Sequence, residues 1–218
     1  MKILALDTST HACSVALWID RQGCEVFELA PNRHSSLILP MVENILAEAG
    51  LSVSLCDAIA FGQGPGSFTG LRIGVGVAQG LAFGADIPVV PVSSLLAQAG
   101  RVEAQNVLAA FDARMGQIYW GTYSMGHDGT MLPEECVGLS EAGAVRLRSN
   151  QTWVAAGTGC DKYRALIEQV NAGTGITFVQ GSYPHALDVA KVGSILYEQG
   201  KAIPAEMAVP DYVRNQVT

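Results

Sequence analysis

The sequence predicts an α/β protein of two lobes, and three observations carry that expectation. Strand patterns alternate with helical ones in which apolar residues recur at three and four. The opening strand, acidic residue, turn and strand return near mid-chain. Leu4-Ala5-Leu6-Asp7 followed by residues 13–17 comes back as Ala109-Ala110-Phe111-Asp112 followed by 118–122, at an offset of 105 residues. A length of 218 residues leaves room for two units of about 100 residues, each with its own core. The division expected from the repeat is 1–103 and 104–218.

Residues 2–7 read as a buried strand, and 12–19 and 24–30 as strands joined at Asp20-Arg21-Gln22-Gly23. From Leu37 the period becomes helical. Ile38, Met41, Val42, Ile45, Leu46 and Ala49 share a face, Gly50 closes the helix, and Pro40 falls near its first turn, where a missing N–H costs little. A short strand at 58–61 runs into Gly62-Gln63-Gly64-Pro65-Gly66-Ser67. A helix over 68–84, a strand over 88–92 and a short helix from Ser93-Ser94 to about Gly100 follow. After the returning strand at 106–112, strands are expected at 117–124, 137–139 and 153–156, with a turn at 125–129. Tyr163, Leu166, Ile167 and Val170 mark one helix. Pro184 opens another, faced by Ala186, Val189, Ala190, Gly193 and Leu196 and ending at Gly200. Residues 209–214 read as extended.

Hydrophobic residues make up 49% of the chain and charged ones 15%, well below the roughly 25% of ordinary soluble domains. That balance excludes disorder and leaves apolar surface for a partner. Thirteen basic against twenty acidic residues give a net charge of −7, with Arg146 and Arg148 beside Asn150 as the densest basic spot. An autonomous nucleic-acid-binding module needs the opposite sign. The N-terminus reads as a strand, and the longest apolar stretch, 73–85, is broken by Gln79 and falls short of the ~20 residues that span a bilayer. Five cysteines at irregular spacing match no zinc or redox pattern. A cytoplasmic protein away from the membrane is expected.

The glycine-rich run between strand and helix can offer backbone N–H groups to a phosphate, or serve only as a tight turn. It is neither a Walker A sequence nor a dinucleotide fingerprint, since no Gly-Lys-Ser/Thr follows and Ser67 stands where a third glycine is needed. Asp7-Thr8-Ser9-Thr10, after the first strand, is the second candidate loop; an Asx or Ser/Thr turn is its plain alternative. Asp112-Ala113-Arg114 mirrors it, with Asp112 able to pair with Arg114. Gly70, Gly74, Gly76, Gly80 and Gly84 lie inside a helix, where each costs up to about 1 kcal/mol against alanine. Close packing within the lobe or a helix of a partner would offset that cost. Four residues after His34 stands Ile38, so no helical histidine pair forms, and no Ser-His-Asp or Cys-His set assembles.

KILALDTSTHACSV at 2–15, His34-Ser35 with Leu39-Pro40, GPGSFTGLRIG at 64–74, Pro91-Val92-Ser93-Ser94-Leu95, Asp112-Ala113-Arg114 and Tyr212-Val213-Arg214 together resemble the bacterial TsaB (YeaZ) family. The likeness runs through most of the chain and is densest before residue 115. It implies an actin/Hsp70-like (ASKHA) fold with an RNase H-like core in each lobe, the second lobe reduced. It implies a part in making N6-threonylcarbamoyladenosine at tRNA position 37, in which a separate enzyme forms threonylcarbamoyl-adenylate and the paralogue TsaD, with a metal on a His-x-x-x-His pair, transfers the group. The chain is then a non-catalytic partner: a heterodimer with TsaD, a ternary complex with TsaE, a homodimer when TsaD is absent, and tRNA only through the complex.

The resemblance carries no catalytic and no metal residue over, because Ile38 replaces the second metal histidine. It places Leu37, Met41, Ile45, Leu71, Gly74, Val75 and Ala78 near the partner contact. Asp7, Thr8, Ser9, Thr10, Gly64, Pro65, Gly66 and Ser67 stand as nucleotide-proximal loops. No tightly bound cofactor is expected, with a nucleotide admitted only at the partner interface. The competing readings are an actin-fold small-molecule kinase or ATPase and a glycoprotease-type metallohydrolase.

Overall fold

Alternating apolar residues in the first third of the chain build an antiparallel hairpin on a parallel pair. In the computed structural model, which describes residues 1–127 and 129–213, β1 (Lys2–Asp7) pairs antiparallel with β2 (Ala12–Ile19), and β2 with β3 (Gln22–Leu29). Helix α1 (His34–Glu48) leads to β4 (Ala58–Gly64), parallel to β1. Helix α2 (Phe68–Ala85) then leads to β5 (Val89–Ser93), parallel to β4. The sheet order is β3-β2-β1-β4-β5. Strand β4 extends past the expected 58–61 into the glycine run, with a register irregularity between Gly62 and Gly64. Helix α1 begins at His34 rather than near Leu37, so Pro40 lies in its second turn. Pro40 is exposed there, where water can serve the carbonyl it leaves unpaired.

The short α3 (Ser94–Gly100) precedes β6 (Asn106–Asp112), and the pattern repeats. Antiparallel β7 (Gln117–Met125) and β8 (Met131–Glu141) follow, then β9 (Thr152–Ala156) parallel to β6 and β10 (Gly175–Val179) parallel to β9. The order β8-β7-β6-β9-β10 is the first sheet's order over again. Between β9 and β10, where the first copy has the 18-residue α2, stand α4 (Thr158–Lys162) and α5 (Arg164–Val170) of 5 and 7 residues, and between β8 and β9, where it has the 15-residue α1, stands a 3-10 turn at Ala142–Ala144. The second copy is thus the reduced one. Strand β8 is much longer than the expected 137–139. Strand β10 and helix α4 are additions, since Gly-Ile-Thr-Phe-Val is short and only half-buried and α4 has few residues to show a period.

The lobe division expected at 103/104 needs correction. Of the described residues, 1–97 and 184–211 form one unit, and 98–183 with Tyr212 and Val213 the second. Helix α6 (Ala186–Glu198) belongs to the first unit and covers the sheet face opposite α1 and α2. The cause is the parity of the strands. Leu4, Leu6, Val15, Ile59 and Phe61 point toward α1 and α2, while Ile3, Ala5, Ala16, Ala58, Ala60, Val90 and Val92 point the other way and need a second layer. Ala186, Val189 and Ala190 supply it. Gly193 lies against Ala60, where an added Cβ would come 2.6 Å from the alanine's own. Residues 203–211 continue along this unit: Ile203 bridges to Val89, and Asp211 N–H donates to the Gln63 carbonyl at 2.9 Å. Arg214 lies outside the described residues.

The second unit has its own core of Leu108, Ala110, Ile118, Ala155, Cys160 and Ile167. Among the described residues, no helix is long and apolar enough to cross a membrane.

Candidate functional site: two strand-end turns and a glycine stripe

Asp7 ends β1 almost completely enclosed. Its Oδ1 accepts from the Ser9 N–H at 2.9 Å and the Ser9 hydroxyl at 2.8 Å, and its Oδ2 accepts from the Ser94 hydroxyl at 3.4 Å. Burial raises its pKa to about 6 in spite of these hydrogen bonds and the nearby His185, all of which favour the ionised form.

The two candidate nucleotide loops are packed on each other. Thr8 donates its hydroxyl proton to the Gly70 carbonyl at 2.7 Å, and the Ser67 N–H donates to the Ser9 carbonyl at 2.7 Å. Ser67 also caps α2, its Oγ accepting from the Gly70 N–H. A Cβ at Gly62 would overlap the Asp7 carboxylate, at Gly66 the Ser9 carbonyl, at Gly70 the Thr8 carbonyl, and at Gly74 the Thr8 hydroxyl. Glycine is required here for backbone contact between Asp7-Thr8-Ser9-Thr10 and the loop with its helix. The Ser67 and Gly70 N–H groups that a phosphate would use are spent inside the chain. Gly64 and Pro65 are buried as well.

The helix glycines therefore divide into two sets. Gly70 and Gly74 face inward, whereas Gly76, Gly80 and Gly84 are exposed and, among the described residues, nothing lies within 4 Å of a Cβ placed on them. Of the residues assigned to the partner contact, Met41, Ile45, Leu71, Gly74, Val75 and Ala78 are buried in the chain's own fold and Leu37 is half-buried. The assignment is corrected in its facing: these side chains hold α1 and α2 on the sheet, and the surface they leave outward is carried by their neighbours. On α2 that surface includes Phe68 with Arg72 laid over its ring, Gly76, Gly80, Phe83 and Gly84; on α1 it includes Leu39.

The His34 ring lies 3.1 Å, through Nε2, from the Ala12 carbonyl, to which it donates, and Ile38 one turn later is 1% exposed in the core. His185 pairs with Glu25 at 2.6 Å and stacks on Phe27 with ring centroids 4.2 Å apart, tying the start of α6 to β3. Sequence reasoning did not find this anchor, because its partners lie 160 residues apart. Among the described residues, no group of three or more His, Cys, Asp or Glu could hold a metal ion. Burial raises the thiol pKa of Cys13 to about 12, so this cysteine is inert at neutral pH.

In the second unit Asp112 closes the mirrored turn, but its side-chain partner is not Arg114. Lys162 Nζ is 2.7 Å from Oδ2, while Oδ1 accepts from the backbone N–H of Arg114 at 3.0 Å and from the Tyr163 hydroxyl at 3.4 Å. Asp112 raises the Lys162 pKa above its ordinary value. Gly157-Thr158-Gly159 takes the place of the first unit's glycine run. Thr158 Oγ1 accepts from the Asp112 N–H at 3.1 Å, and Cβ atoms at the two glycines would press on Ala110 and Phe111. The signal for this loop was present as two glycines directly after a strand.

The family described as TsaD, tRNA N6-adenosine threonylcarbamoyltransferase, matches through its model over residues 18–139. The tRNA threonylcarbamoyladenosine biosynthesis protein TsaB of Escherichia coli is 42% identical, over 100% of this chain and 96% of that protein. Its namesake in Haemophilus influenzae is 39% identical over 100% and 95%. The solved structure of YeaZ from Pseudomonas aeruginosa superposes with a TM-score of 0.90 at 39% identity, covering 97% of this chain and 99% of that one.

Proposed function

The chain belongs to the TsaB family of tRNA threonylcarbamoyladenosine biosynthesis, with that family's actin/Hsp70-like fold, and from that premise we propose that it is a non-catalytic scaffold for TsaD. TsaD transfers the threonylcarbamoyl group from threonylcarbamoyl-adenylate to adenosine 37 of tRNA. This chain holds TsaD through the outward faces of α1 and α2, TsaE joins the pair, and tRNA meets the chain only within that complex. The same face closes a homodimer when TsaD is absent, and the two uses exclude each other. A nucleotide, if bound, sits at the partner interface. The work is done in the cytoplasm.

The observation that carries this reading is the open stripe Gly76, Gly80, Gly84. Glycines at these three positions weaken α2, and among the described residues nothing lies within 4 Å of a Cβ placed on them; a partner helix laid along the stripe would repay that cost. His34 held by a backbone carbonyl, with a core isoleucine one turn on, supports a scaffold rather than a metal-dependent transferase.

Size-exclusion chromatography with light scattering, on this chain alone and mixed with TsaD of the same organism, tests it. The homodimer should give way to a one-to-one heterodimer. Gly80→Leu should weaken both associations about 5- to 150-fold, from the roughly 1–3 kcal/mol cost of overpacking a close contact. At low protein concentration, where association contributes least, its melting temperature should hold or rise, since leucine is the better helix former. Unchanged association in that variant would remove the face, and no complex with TsaD under any condition would remove the partnership. Gly74→Leu is unsuited to this purpose, because its side chain would collide with Thr8 inside the fold.

A further inference from the structure

The second unit holds a polar cavity of about 750 Å³, within the roughly 300–1,000 Å³ usual for small-molecule sites. It lies where the parallel strands β6, β9 and β10 begin and β7 ends. Asn106 opens β6 opposite Ser124 of β7, Glu134 lies on β8, and Gln151 stands just before β9. Every side chain that lines it is an amide, a hydroxyl or a carboxylate, apart from a glycine. An apolar ligand or a stacked ring finds no surface there.

The wall of the cavity is rich in acceptors and short of donors. Gln105 Nε2 donates to the Met125 carbonyl and Asn106 Nδ2 to the Thr152 carbonyl, each at 3.0 Å, so the fold takes these amide donors and leaves both amide oxygens. Asn106 is only 7% exposed, and its Oδ1, neither bonded nor enclosed among the described residues, is open to the cavity. Gln151 adds an Oε1 that is enclosed without a hydrogen-bond partner among the described residues, although buried polar atoms are almost always paired. The remaining acceptor is charged. The largely buried Glu134 carboxylate has the exposed Arg148 guanidinium 3.5 Å away, beyond the roughly 2.7–2.9 Å of a formed charge-assisted hydrogen bond. That loose contact shows the kind of group the carboxylate takes and leaves room for a better one.

We propose that this cavity binds a small organic cation with several N–H donors, an alkylammonium or a guanidinium, its charge on Glu134 and its N–H groups on the amide oxygens of Asn106 and Gln105. Carboxylate and amide oxygens together match a donor-only cation, and the net charge of −7 favours its approach. The inference goes beyond the scaffold reading and does not depend on it. Every residue it uses belongs to the second unit, whereas the proposed partner face is on α1 and α2 of the first.

The test is isothermal titration calorimetry on the full chain alone with agmatine, which carries both a guanidinium and an ammonium. Choline, a cation without an N–H, and glycerol, a neutral polyol, are the controls. Agmatine should bind saturably, and both controls at least about tenfold more weakly, from the charge-assisted hydrogen bonds they cannot make. Glu134→Gln should weaken agmatine about tenfold or more for the same reason. Arg148→Ala should tighten it, because the competing guanidinium is gone; a merely structural Glu134–Arg148 pair would not give the two variants opposite signs. Thermal melting shows whether each variant is folded, and should Glu134→Gln fail to fold, Arg148→Ala decides alone. Absence of saturable agmatine binding overturns the proposal. So does choline binding as tightly as agmatine, which would make the cavity a charge trap without amide contacts. Agmatine affinity unchanged in both variants also overturns it, since the cation would then sit elsewhere on the acidic surface.

Discussion

Gly70→Ala is expected to destabilise the first unit by about 3 kcal/mol or more, while Gly80→Ala, ten residues along the same helix, stabilises it by about 0.5–1 kcal/mol. The substitution is identical and the helix is the same, so intrinsic propensity predicts a gain at both. The difference is the neighbour. A Cβ at Gly70 would overlap the Thr8 carbonyl, and the β1–β2 loop that carries Thr8 is itself tied to α2 by the Thr8–Gly70 and Ser67–Ser9 hydrogen bonds. Helix and loop must separate to admit one methyl group, and those bonds stretch with them. At Gly80, among the described residues, nothing lies within 4 Å of an added Cβ. Urea unfolding at low protein concentration, where association contributes least, reads both variants. Equal effects at the two positions would mean that the loop is not seated on α2 as described.

The second large effect belongs to Asp7. Its folded-state pKa of about 6 lies above the ordinary 3.8, with burial as the dominant cause. The folded state therefore binds the proton more tightly than the unfolded chain between those values. The resulting stability is fully present below pH 3.8 and is lost as pH rises through about 6. Asp7→Asn keeps an acceptor for Ser9 and removes the buried charge. The variant should gain on the wild type as pH rises, by about 2–2.5 kcal/mol between pH 4 and pH 7, at roughly 1.36 kcal/mol per pKa unit over the part of the shift that this range covers. Paired urea curves across that range check it. If the two proteins stay parallel from acid to neutral pH, Asp7 is ionised in an environment as favourable as water.

Much of the fold was legible because its signals are local. The hairpin at 2–19, the helices at α1 and α2, and the repeat at Asp7 and Asp112 all follow from periodicity and turn chemistry. The repeat turned out to extend to the whole sheet order. Strand β10 and helix α4 were missed because each is too short to display a period. The glycine stripe was seen but not sorted, although the geometry to sort it was available. Gly74 and Gly76 are two residues apart, about 200° around a helix, so both cannot serve the same face. The residues carried to the partner contact by resemblance were the apolar ones, and apolar residues on a helix of a small α/β unit are claimed first by its own sheet.

By itself the sequence determined that this is a two-fold repeated α/β chain of the TsaB family without a metal pair at His34, because strand parity, helical period and residue identity need no knowledge of what lies far along the chain. Only the tertiary structure decided that α6 returns to the first unit, that the two candidate phosphate loops close on each other, which helix glycines stay open, and that Lys162 rather than Arg114 takes Asp112. Each of these depends on which distant segment arrives at a given face, and that is settled by packing among residues tens to hundreds of positions apart.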